Sequence, residues 1–148
     1  MDLPSDIQMW LEKYGWYPQR KIGITEIIKI LTDEGYQLNK YAIEIIERYG
    51  NLEILHPSFK VKDKNETMHL NPLTACNHIY REKVEDYESR TKESLVVIGE
   101  AYNGYLVLMV SDNGSIYGGY DDYLTLLGKS FSEALDAILN SKETAVIN

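Results

Sequence analysis

Cys76, Asn77 and His78 run together in this chain, with His69 seven residues before the cysteine and His56 further back. Thiol and imidazole are the raw material of a zinc site or of a nucleophilic pair. Their spacing here fits no common zinc pattern, and Cys76 has no second cysteine to join it. On a helix, side chains two residues apart diverge, so Cys76 and His78 do not form a nucleophile and its base. The expectation is a buried Cys76, a surface His78 and no metal. A second set is acidic: Asp121 and Asp122, with Glu100, could gather as carboxylates for a divalent ion or for proton transfer. Adjacent residues of a strand face opposite sides, so the two aspartates converge only if Gly118-Gly119 leads into a turn. Those glycines are no phosphate loop, because no GxxxxGK[ST] pattern surrounds them. No catalytic residue and no cofactor is expected, and the interest of the acids moves from chemistry to recognition.

The stretch from Leu95 to Gly128 sharpens that shift. It holds Glu100, Asp112, Asp121 and Asp122, five tyrosines (Tyr102, Tyr105, Tyr117, Tyr120 and Tyr123), and no lysine or arginine. Tyrosine offers large contact area with few rotatable bonds, which suits an interface, although strands favour tyrosine for packing alone. The apolar runs in this stretch are too short for helices. LVVIG, GYLVLMV and SIYGGY read as strands, the last two joined through the Asp112-Asn113-Gly114 corner. The paired glycines imply a bulge or a close backbone approach that redirects Tyr120 and the acids after it.

Helices must hold this sheet. Ser5 and Gln8 match a capping box ahead of Ile7, Trp10, Leu11 and Tyr14, and Gly15 can end that helix, with Trp16 packing the turn. Thr25 can cap a second helix carrying Ile27, Ile28, Ile30 and Leu31. Asn39 can cap a third, with Tyr41, Ala42, Ile45, Ile46 and Tyr49 on one side. LEIL and TMHL then read as short strands around the polar KDKNE turn. Asn71-Pro72 suits a helix start, and the pattern predicts one helix with Leu73, Cys76, Tyr80, Val84 and Tyr87 on a stripe. Ser130 and Glu133 open the last helix, burying Phe131, Ala134, Leu135, Ile138 and Leu139. The whole is an α+β domain over residues 1–148, with a central, mainly antiparallel sheet flanked by short helices.

Composition narrows the partners. Fifteen Lys and Arg stand against 23 Asp and Glu, for a net charge of −8 over 148 residues. Phosphates repel such a chain, so nucleic acid is not the expected partner and a basic protein is. The longest clear apolar run, Leu106 to Val110, is far below the roughly 18 residues of a membrane span. The opening MDLPSDIQ lacks a secretory signal and the lone cysteine closes no intrachain disulfide, so a cytoplasmic location is expected.

In order along the chain stand GWYPQR (15–20), YGNLEI (49–54), MHLNPL (68–73), VIGEAYNG (97–104), GSIYGGYDD (114–122) and LLGKSFSEAL (126–135). Taken together these resemble the SUKH superfamily, and within it the third bacterial family of SUKH immunity proteins. One departure is Asn71, where an aspartate commonly precedes the proline; both residues cap helices well. The resemblance implies a non-enzymatic antidote to a polymorphic toxin delivered between competing bacteria, the toxin often being a nuclease. It carries no catalytic residues across. SUKH-like domains also resemble eukaryotic scaffolding regulators, so a protein- or peptide-binding regulatory module is the alternative. Residues expected at the toxin-binding surface are Glu100, Tyr102, Tyr120, Asp121, Asp122 and Tyr123.

Overall fold

A computed structural model describes residues 3–148. Three helices come first: α1 (Ser5–Glu12), α2 (Thr25–Asp33) and α3 (Lys40–Tyr49). Strands β1 (Glu53–Pro57) and β2 (Asn65–His69) follow, then α4 (Pro72–Cys76) and α5 (Arg81–Thr91). The sheet resumes with β3 (Leu95–Ala101), β4 (Leu106–Ser111), β5 (Ile116–Tyr120) and β6 (Tyr123–Gly128). Helix α6 (Phe131–Leu139) and the two-residue β7 (Ala145–Val146) complete the chain. The seven strands pair antiparallel in chain order, β1 through β7, so the α+β architecture stands. Strands β1 and β6 lie five places apart in the sheet, yet both touch α6. The sheet therefore curls around that helix. No helix among the described residues is long and apolar enough to cross a membrane.

Side-chain caps start three of the six described helices. Asn39 Oδ1 accepts the Ala42 N–H at 2.9 Å, Asn71 Oδ1 that of Thr74 at 3.2 Å, and Ser130 Oγ that of Glu133 at 3.1 Å. Two starts differ from expectation. The Pro4 carbonyl accepts the Gln8 N–H at 3.0 Å, so Ser5 is already helical, and the Gln8 side chain donates to Leu3 O instead of closing a box. Ile24, not Thr25, holds the cap position of α2, because its carbonyl takes the Ile28 N–H at 2.9 Å.

The long helix expected after Asn71 is two helices. Residues 77–80 leave the α-helical path between α4 and α5, and Tyr80 is exposed rather than on the buried stripe of Val84 and Tyr87. The break turns His78 toward the sheet, where it meets Glu100. Strands β6 and β7 were not anticipated, although the Asp112-Asn113-Gly114 hairpin and all five buried positions expected on α6 are present.

Glycines set two close approaches. A Cβ on Gly99 would lie 2.1 Å from the His69 carbonyl, so only glycine lets β2 run this near β3. Gly118 and Gly119 face opposite sides: a Cβ would meet Leu106 at 2.6 Å from the first and the buried Tyr87 ring at 2.6 Å from the second. The glycine pair thus serves close packing on both faces, while the register irregularity falls one step earlier, between Ile116 and Tyr117.

Candidate functional site

Three turns and the segment Lys142–Thr144 ahead of β7 surround a cleft of about 740 Å³ on the Gly118 side of the sheet. Its aromatic lining comes from Phe59 in the β1–β2 loop, Tyr102 and Tyr105 around the β3–β4 turn, and Tyr120 and Tyr123 at the end of the β5–β6 hairpin. Phe59, Tyr105, Tyr120 and Tyr123 are all exposed. Such a group is unusual outside a contact surface, since large exposed apolar side chains normally occur singly.

The turns that carry the tyrosines are held from behind. Tyr102, Asn103 and Gly104 all have positive φ, and Asn103 pins their turn onto β2 by accepting the Thr67 N–H at 2.8 Å and donating its own N–H to Thr67 O at 3.0 Å. The Tyr102 N–H donates to buried His56 Nε2 at 3.2 Å, and the two rings meet edge to face at 4.7 Å. His56 Nδ1, 3.0 Å from Pro57 O, carries the proton in this arrangement. Burial holds the imidazole below its ordinary pKa and so favours that neutral form. Burial also pushes the Tyr102 phenol up. Tyr120 and Tyr123 are register partners across the Asp121-Asp122 turn, and Tyr105 packs edge to face on Tyr120 at 6.0 Å. The turn is tied down on its other side: Tyr87 donates to Asp121 O at 2.7 Å, and Lys83 donates to Asp122 Oδ1 at 3.0 Å. The lysine lowers the pKa of the Asp122 carboxyl.

The expected surface residues divide. Tyr102, Tyr120 and Tyr123 come together in the cleft, with Asp121 and Asp122 on the adjoining turn. Glu100 does not join them. It sits opposite Val107, and the neighbouring pair Ala101 and Leu106 faces the other way, toward the cleft. Its side chain is only 2% exposed and is bracketed by His69 Nε2 at 2.7 Å and His78 Nδ1 at 2.9 Å. His69 Nδ1 accepts the Asn71 N–H, which leaves Nε2–H to donate to the carboxylate. Glu100 therefore clamps β2 and the α4–α5 link onto β3. By strand parity it lies one position from the face on which the tyrosines lie.

Phe59, Tyr105 and Glu143 also line the cleft and were not singled out from the sequence. A phenylalanine in a lysine-rich loop is the available signal for the first. Among the described residues, no group of three His, Cys, Asp or Glu is arranged to hold a metal ion. Cys76 is half-buried, and burial, with Glu34 nearby, pushes its thiol up to about 12, the reverse of what a nucleophile requires.

The SUKH-3 immunity protein family model matches residues 3–141, nearly the whole chain. The chain belongs to the SUKH-3 immunity protein family. Searches of curated proteins and of solved structures each returned no match. Within this SUKH-3 chain the matched segment takes in the whole sheet except β7. The segment Lys142–Thr144, which forms one wall of the cleft, lies just beyond it.

Proposed function

We propose that this SUKH-3 chain is a non-enzymatic antidote that binds one cognate toxin domain in the cytoplasm and blocks its active site or its access to substrate. Family membership carries the reading. The net charge of −8 supports a basic partner, and a toxin that handles nucleic acid has a positive cleft for such a chain to meet. Opposite potentials speed encounter and fix orientation, while the tyrosine cluster supplies rigid contact area that excludes water.

Co-expression tests this directly. Cells making the toxin domain encoded beside this gene survive when the chain is present and die when it is absent. Equal survival in the two cultures refutes the proposal.

A further inference from the structure

We infer that the aromatic cleft receives a single arginine or lysine side chain of the toxin. The inference rests on the antidote reading and adds the site and the chemistry of the inserted group.

Five aromatic rings converge on one opening of about 740 Å³, within the range of built ligand sites. Ring faces attract a cation, and more strongly where water is excluded. The charges around the rings point the same way. Of the lysines lining the cleft, Lys142 is already paired with Asp136, whereas Glu66 and Glu143 make no ion pair among the described residues. Lys60 alone opposes those two acids, so the lining keeps an unbalanced negative charge to set against an incoming cation. The site is also preformed: Gly118 lets Leu106 lie flat as floor between the tyrosines, and the Asn103 and Tyr87 hydrogen bonds fix the turns that carry them. Rings held in place lose little freedom on binding.

The wall that closes the cleft is a strap. Thr144 bonds the Thr125 hydroxyl, which in turn donates to Ala145 O at 3.0 Å, and the Ile147 N–H donates to Leu124 O at 2.8 Å. This strap follows the last residue of the family match and bounds the cleft on that side.

The test uses the full chain and the toxin domain encoded beside it, inactivated by substitution, in calorimetric titrations. Tyr105→Ala and Tyr120→Ala are each expected to weaken binding by about 30-fold or more, the loss typical of an interface anchor. Tyr120→Phe keeps the ring face and stays close to wild type, whereas Tyr120→Leu keeps apolar area without it and does not. Glu143→Lys weakens binding at low ionic strength more than at high. Tyr80→Ala, at an exposed tyrosine outside the cleft, changes nothing. An alanine scan of the toxin's arginines and lysines finds one whose loss is non-additive with Tyr120→Ala. Melting curves confirm that every variant folds, as expected for exposed positions.

Wild-type binding by all cleft variants refutes the cleft while leaving the antidote reading intact. Tyr120→Leu matching Tyr120→Phe, or coupling to an apolar toxin residue alone, refutes the cation. A dimer of this chain that Tyr105→Ala dissolves shows that a second copy fills the cleft and refutes the proposal. Failure of the unaltered chain to bind or protect removes the antidote reading, and this inference with it.

Discussion

Replacing Glu100 separates stability from recognition. The Glu100 carboxylate is 2% exposed and receives His69 Nε2–H at 2.7 Å and His78 Nδ1 at 2.9 Å. Glu100→Ala removes the acceptor for both rings. His69, whose side chain is 17% exposed, is left with a largely buried donor and no partner, while His78, 57% exposed, can turn to water. An orphaned buried donor costs about 1–3 kcal/mol. One ring rehydrates and the other keeps a largely buried donor, so the loss is about 2 kcal/mol. For a chain of this length that lowers the melting temperature by about 4–8 °C. Glu100→Gln keeps the volume and an oxygen for His69 but turns an amide toward His78, and loses about half as much. Urea denaturation read by circular dichroism measures both changes, and calorimetry on the folded variants measures toxin affinity, expected to stay within about threefold of wild type. If Glu100→Ala melts with wild type, or folds normally and loses its toxin, the structural role assigned to Glu100 is wrong.

Other substitutions probe neighbouring steps of the reasoning. Gly118→Ala places a methyl 2.6 Å from Leu106, so it should cost about 1–3 kcal/mol in denaturation and narrow the cleft, weakening toxin binding; unchanged values in both assays would show that the floor adjusts freely. The Cys76 thiol, held up to about 12 by burial, stays protonated in the fold where an unfolded chain would ionise it. Its contribution to stability is therefore complete below pH of about 8.5 and fades as pH rises toward 12. Cys76→Ala should flatten that part of the stability curve, and iodoacetamide at neutral pH should label native Cys76 far more slowly than the denatured chain. Asp121→Lys with Asp122→Lys should slow association with a basic toxin at low salt and matter little at high salt. Because Lys83 already pairs with Asp122, an equal association rate at low salt would place the electrostatic steering elsewhere.

What the sequence discloses follows how local each determinant is. Asn39, Asn71 and Ser130 announce helix starts because a cap is settled within four residues, and the Asn113-Gly114 corner announces its hairpin for the same reason. Strand β6 escaped because its start is hidden behind the Asp121-Asp122 turn, where Asp121 takes a positive φ more often held by glycine or asparagine. The α4–α5 break escaped because nothing within residues 77–80 forbids a helix. What the break serves is equally remote: it lets His78 reach Glu100, more than twenty residues away in sequence on β3.

The cleft shows the same logic at the level of the site. Composition located the tyrosines and acids in one stretch, but a stretch of sheet has two faces, and a one-residue step decides which is shown. Glu100 and Ala101 are adjacent in sequence. One bonds to histidines behind the sheet, and the other belongs to the face on which Leu106, Gly118 and Thr125 build the cleft. No count of acids or tyrosines can make that assignment, because it depends on register with strands that are themselves set by the Gly99 approach and the Ile116–Tyr117 irregularity. Charge is legible in the chain as a whole, whereas the aromatic cleft exists only once the sheet is paired. It follows that substitutions outside the cleft that shift register should abolish toxin recognition as surely as loss of the tyrosines, even where every exposed residue is kept.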